Sequence, residues 1–167
     1  MTNLETLKQQ TADLEAKLKE MKAEIDRLEN GWEMKCPYEL GDEYWFIKDF
    51  GDVFIDSWDG CEIDMGRFNT GNTFLTKEAA ELESKRRNLL TRFRAFRDEC
   101  NGDWKPDWSN RDEKWEIDYT EEEVKALWTS GVNSFSTFGY FKNKQDTQRA
   151  IELFGDEIKE LFVDCEG

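Results

Sequence analysis

The chain contains no histidine. That absence excludes Ser-His and Cys-His nucleophile systems and every metal site built on imidazole. Proline is scarce, with two residues, so no long proline-rich linker divides the chain. The four cysteines (Cys36, Cys61, Cys100 and Cys165) include no close pair, which argues against a disulfide framework and against a zinc site with short paired spacing. Reduced thiols are expected. No apolar run approaches the ~18 residues of a membrane-spanning helix, and the first residues are polar instead of resembling a signal peptide, so a cytosolic protein is expected. Neither a Walker loop nor a GxGxxG motif is present.

What the sequence does hold is aromatic mass and acid. In 167 residues, 38% are apolar and 14% aromatic, with seven tryptophans and twelve phenylalanines. That load offsets ordering entropy, so one globular domain with an appendage is expected despite 37% charged residues. The formal charge is −15, and it is unevenly spread. Residues 77–97 carry seven positive charges (Lys77, Lys85, Arg86, Arg87, Arg92, Arg94, Arg97) against three negative ones (Glu78, Glu81, Glu83), a net +4 that leaves −19 elsewhere. A strongly negative remainder repels nucleic acid, phosphorylated ligands and anionic membranes.

Residues 2–30 read as one helix, begun by a Thr2/Glu5 capping box and stopped at Gly31. Leu4, Leu7, Thr11, Leu14, Leu18, Met21, Ile25 and Leu28 alternate spacings of three and four, the seam of a coiled coil. So narrow a stripe prefers another helix to a broad core, and a homodimer through it is expected. In a parallel dimer Lys17 would face Lys22 and Glu24 would face Glu29. A staggered antiparallel pairing sets Lys17 against Glu24, Lys8 against Glu29 and Glu15 against Lys22. Packing inside the chain is the competing arrangement, because Ala79, Leu82, Arg86, Leu89, Phe93, Phe96 and Cys100 form a second seam.

Beyond Gly31 the pattern turns to strands. Residues 44–47 and 53–58 predict a hairpin about the Asp49-Phe50-Gly51-Asp52 turn, and a third short strand is expected between Glu62 and Phe68. Phe74 ends a strand before Thr76 caps a helix over 77–100. Residues 101–112 form a turn-rich loop, 114–119 a strand, and a Thr120/Glu123 capping box predicts a short helix bearing Val124, Leu127 and Trp128. A strand over 134–141 and a helix over 146–162 follow. Phe74-Leu75-Thr76-Lys77 and Phe141-Lys142-Asn143-Lys144 each join a strand to a helix, suggesting a degenerate ββα duplication.

Asp52, Asp56, Asp59, Glu62 and Asp64 could in principle build a two-carboxylate or magnesium site, but 38 acids in the chain make solvated turns the better reading. The arginines of 77–97 surround their helix instead of lining one face, which favours pairing with acidic elements of the same protein or of a second subunit. Acidic runs at 107–112, 118–123 and 156–166 offer another chemistry: carboxylates on a rigid fold imitate phosphates. Trp104 and Trp108, in a polar loop, are either contact anchors or plugs on the sheet.

Together, Gly-x-x-Tyr-Trp at 41–45, Gly-Asn-x-Phe-x-Thr-Lys at 71–77, Trp-x-Pro-Asp-Trp at 104–108 and Ala-Ile-Glu at 150–152 resemble a diffuse family of small, uncharacterised proteins of phages and prophages of Gram-positive bacteria, often with an N-terminal coiled coil. The resemblance covers most of residues 41–162 and implies a phage context, in the cytoplasm of a bacterial host. Small acidic phage proteins include anti-CRISPR inhibitors of RNA-guided nucleases, an analogy of context.

The expected protein is therefore α+β: a coiled-coil helix over 1–30, then a mixed module of short antiparallel strands and helices over 31–167. It is expected to be no enzyme, with no cofactor or metal, and to act by binding a protein, most sharply as an anti-CRISPR-type inhibitor whose acidic surface blocks a nuclease channel. Candidate partner-binding residues are Trp104, Trp108, Asp107, Asp112, Asp118, Glu121, Glu122 and Glu123. Candidate oligomerisation residues are Leu4, Leu7, Leu14, Leu18, Met21, Ile25 and Leu28. The alternatives are a nucleic-acid-associated phage protein using helix 85–97 and a nucleotide-sequestering anti-defence protein. Direct nucleic-acid binding is not expected, nor is a membrane partner.

Overall fold

A computed structural model describes residues 3–31, 33–130 and 135–165. The chain is α+β and divides into two compact units, Met1–Tyr38 and Glu39–Gly167. The first is carried by helix α1, Asn3–Asn30. Gly31 follows it at φ +77°, a left-handed stop that costs glycine nothing. Thr2, the proposed start of the capping box, lies outside the described residues.

The second unit opens with an antiparallel hairpin, β1 (Glu43–Ile47) and β2 (Val53–Ser57), in which Trp45 faces Ile55 and Phe46 faces Phe54. A third piece of sheet is added by Phe74, whose N–H donates to the Trp45 carbonyl and whose carbonyl accepts from the Trp45 N–H, both at 2.8 Å. Asn72 extends this edge with its side chain: Oδ1 accepts from the Ile47 N–H at 3.1 Å and Nδ2 donates to the Ile47 carbonyl at 2.8 Å. A carboxamide thus stands in for one residue of strand, which gives the Gly-Asn-x-Phe motif a structural meaning. Thr76 then caps helix α3 (Lys77–Asn101), its hydroxyl accepting from the Ala79 N–H at 3.2 Å.

The same construction recurs. β3 (Lys114–Thr120) and β4 (Glu123–Thr129) form a second antiparallel hairpin, with Trp115 opposite Trp128. Trp115 exchanges both backbone hydrogen bonds with Phe141, at 3.0 and 2.7 Å. Two residues later Asn143 caps helix α4 (Lys144–Ile158), accepting from the Asp146 N–H at 2.9 Å. The first buried helical residue stands six positions beyond the bridging phenylalanine in each half: Ala80 and Thr147 are both fully buried. Hairpin, bridge, cap and helix therefore repeat in order.

The expected seam of α3 is real but already occupied. Leu89 and Phe93 are fully buried against Ile117, Phe138, Phe141, Ala150, Phe154 and Leu161, with Leu82, Phe96 and Cys100 at the margin. The Phe93 ring lies 4.9 Å from that of Phe138 and 5.5 Å from that of Phe154. Residues of the same unit fill that seam, which leaves it no room for a further helix.

Four expectations are corrected. Residues Glu62–Asn69 form helix α2, not a strand. Asp59 accepts from the N–H of Cys61, the N-cap residue, and the Asp64 carboxylate reaches back to the Asp59 N–H, so side chains fix the turn that leads into the helix. The Thr120/Glu123 pattern begins no helix. Glu121 and Glu122 form a tight two-residue turn with φ of 54° and 65°, and cross-strand pairing carries the chain on as β4. Among the described residues of the expected strand over 134–141, only Phe141 makes a bridge, since Gly139 turns the chain at φ +73°. The last helix starts at Lys144 and, after Ile158, loosens into a π-helical turn, Lys159–Val163.

Candidate interaction surfaces

The first surface is the stripe on α1. Leu4, Leu7, Leu14, Leu18, Met21, Ile25 and Leu28 are all more than half exposed. The Thr11 hydroxyl donates to the Leu7 carbonyl at 2.9 Å, so the one polar residue of the seam is satisfied within its own helix. Seven large apolar side chains in one line are more than scattered surface hydrophobes explain.

The second surface is the acidic hairpin. Glu121, Glu122 and Glu123 stand exposed at the β3–β4 turn, where Lys125 reaches Glu121 at 2.6 Å and Glu123 at 3.6 Å. The Lys125 ammonium holds the Glu121 carboxyl below its ordinary range. Asp118 is also exposed, its carboxylate accepting from the Tyr119 N–H at 2.8 Å. Asp107 and Asp112 belong to the other end of this hairpin, separated from the turn by the length of β3, about 20 Å at ~3.3 Å per residue. Asp107 is a turn-former: it accepts from the Ser109 N–H at 2.9 Å and the Ser109 hydroxyl at 2.6 Å, bonds that lower its pKa. The candidate acids thus share one hairpin, at two ends of it.

Both candidate tryptophans are half-buried. Trp108 meets Tyr140 edge-on at 5.0 Å, and the Lys114 ammonium lies 5.5 Å from its ring centre. Lys114 is 1% exposed, and its Nζ donates at 2.8 Å to both Asn110 Oδ1 and the Asp112 carbonyl. A buried ammonium thereby fastens the 104–112 loop onto β3 through neutral oxygens and an aromatic face.

Two arginines of the basic helix, Arg86 and Arg97, turn inward, while Lys77, Lys85, Arg87, Arg92 and Arg94 stay exposed. Arg86 donates to the Leu161 carbonyl at 2.7 Å and to Cys165 Sγ at 2.8 Å. Arg92 pairs with Glu157 at 2.5 Å, Arg87 with Glu83 at 2.8 Å and Lys77 with Glu81 at 3.1 Å, while Arg97 donates to the Phe138 carbonyl at 3.0 Å. The Arg92, Arg86 and Arg97 contacts tie α3 to α4, to the π-helical turn and to the 135–141 segment, while the Arg87 and Lys77 pairs lie within α3 itself.

Of the acids around β2, Asp64 is no solvated turn residue; it is 2% exposed. The Tyr44 hydroxyl donates to it at 2.6 Å, and Arg67 donates to the Tyr44 oxygen and, at 2.7 Å, to Asp56. The Arg67 guanidinium also lies 3.6 Å over the Phe46 ring. Burial, reinforced by the bond to Asp64, pushes the Tyr44 phenol up to about 12. Burial raises the Asp64 carboxyl as well, but the bonds from Tyr44 and the Asp59 N–H outweigh it and bring the pKa below the ordinary value. Ligand atoms of Asp59, Cys61 and Asp64 lie within 4.8 Å of one another. Both carboxylates already hold the start of α2, so the group reads as structural. Nothing in the sequence flagged the Tyr44–Asp64–Arg67 network, because Tyr44 lies on β1, 20 and 23 residues away from its partners on α2.

All four cysteines are free, with Cys36 and Cys61 exposed. Among the described residues no helix is long and apolar enough to cross a membrane. No protein-family model, curated protein or solved structure matches the chain.

Proposed function

We propose that this chain is a non-enzymatic accessory protein of a phage or prophage that works in the cytoplasm of a bacterial host by binding a protein. In its sharpest form the reading is an anti-CRISPR-type inhibitor that lays the β3–β4 hairpin and its preceding loop into the nucleic-acid channel of a host nuclease. One observation carries it. Residues 107–123 hold eight acids and two bases, and Lys114 is buried, so Arg111 is the one exposed base of that segment. The use of Arg86, Arg92 and Arg97 within their own protein supports the same reading, because part of the basic helix is engaged there and the hairpin acids face solvent. Acid presented by a rigid hairpin steers encounter with a basic groove and fixes register there, with a rate that falls as salt rises.

The test uses purified RNA-guided nucleases of Gram-positive hosts. The full chain should form a salt-sensitive complex and suppress DNA cleavage, and Glu121→Lys with Glu122→Lys should relieve the suppression while leaving the fold intact by circular dichroism. No complex and undiminished cleavage across such nucleases would rule out the sharp form.

A further inference from the structure

The stripe on α1 is exposed along its length, and the charges beside it identify a partner for it. With Leu4, Thr11, Leu18 and Ile25 at one core position of the heptad and Leu7, Leu14, Met21 and Leu28 at the other, the flanking positions are Lys8, Glu15, Lys22 and Glu29 on one side and Asn3, Gln10, Lys17 and Glu24 on the other. A parallel pair sets Lys17 against Lys22 and Glu24 against Glu29, each twice. An antiparallel pair in full overlap is no better, since Lys8 meets Lys22 twice while Glu15 and Lys17 each meet their own counterpart.

Sliding the antiparallel pair by one heptad changes every sign. Leu18 then lies beside Met21 of the second copy, Leu14 beside Ile25 and Thr11 beside Leu28. Lys17 meets Glu24, Lys8 meets Glu29 and Glu15 meets Lys22, each twice, so all of the charged flanking positions find an opposite charge. We infer that α1 pairs with α1 of a second copy, antiparallel and offset by one heptad, through this register.

The cost is that Leu4 and Leu7 fall outside the six shared layers. They lie in the first turns of the helix, where fraying already weakens packing. Six attractive contacts in place of four repulsive ones amount to roughly a hundredfold or more in the association constant, taking each as an exposed helix pair. The structure adds what the register needs. The stripe is exposed along its length, Thr11 is satisfied internally, and the α3 seam is occupied. The pairing is independent of what the 39–167 unit binds.

Lys17→Glu separates the arrangements by sign, read as the dimer dissociation constant of the full chain by sedimentation equilibrium. In the offset antiparallel pair it creates two Glu–Glu contacts and should weaken the dimer by about tenfold. In a parallel pair it creates two Glu–Lys contacts and tightens association; in full overlap it leaves association unchanged. Lys17→Glu combined with Glu24→Lys should restore the wild-type constant. Because Lys17 also lies four residues from Asp13 on its own helix, recovery in the double variant reports pairing between chains and not helicity alone. A chain that stays monomeric at all concentrations, or a Lys17→Glu variant that associates as well as or better than wild type, would overturn the inference.

Discussion

Trp45 and Trp115 hold the same station in two successive hairpins, each exchanging both backbone hydrogen bonds with a phenylalanine that leads into a capped helix. The match extends from the bridge to the cap and to the first buried helical residue, so the globular unit is one ββα design used twice. In the first half α2 lies between hairpin and bridge, and it brings Asp64 and Arg67 to Tyr44.

That network has a pH signature. The phenol of Tyr44 is raised to about 12, above its ordinary 10, so the folded state holds its proton longer than the unfolded one. Stability should therefore fall as pH rises from about 10 towards 12. A spectroscopic titration of tyrosinate should show a late component that is absent in Tyr44→Phe. On the acid side Asp56, lowered chiefly by Arg67, and Asp64 lose their contribution as pH falls below the ordinary carboxylate value of 3.8. Tyr44→Phe should itself cost about 1–3 kcal/mol, since it removes a donor from a buried carboxylate.

Lys114 should act as the fastener of the tryptophan loop. Lys114→Met keeps much of the buried stem but removes the ammonium from the Asp112 carbonyl and from Asn110 Oδ1, which retains the Asp112 N–H at 3.1 Å. A loss of about 1–3 kcal/mol is expected, with faster amide hydrogen exchange in residues 104–112 and little change in α4.

Phe50 is fully exposed at the tip of the first hairpin with φ of 69°, a conformation that a bulky side chain adopts at a cost. Phe50→Asn should raise stability by about 0.5–1 kcal/mol in thermal unfolding. A destabilised variant would show that the ring makes contacts its exposure denies.

The sequence made some of this legible and hid the rest for physical reasons. The α1 stripe and the Thr76 cap are local signals, written in the spacing of leucines and in one hydroxyl before a helix, and the structure holds both. The duplication was visible at Phe74 and Phe141 because that junction is also local. Helix α2 was not, since Ile63 and Met65 alternate as in a short strand until Asp59 and Asp64 are seen fixing the turn before the helix. The Thr120/Glu123 pair carries a capping-box signature, but pairing across the hairpin outweighs it and puts two glutamates in left-handed backbone. The inward turn of Arg86 and Arg97 depends on partners 75 and 41 residues away, which no local pattern reports.

Interaction through α1 is the most directly measurable claim. A spin label at Gln10, in a chain whose four cysteines are replaced by serine, reports the distance between two copies by double electron–electron resonance. The antiparallel pair offset by one heptad separates the two labels by about 28 Å along the axis at ~1.5 Å per residue, so a distance near 30 Å is predicted. A distance of about 20 Å or less, or no dipolar signal at concentrations where the chain is fully folded, would contradict it.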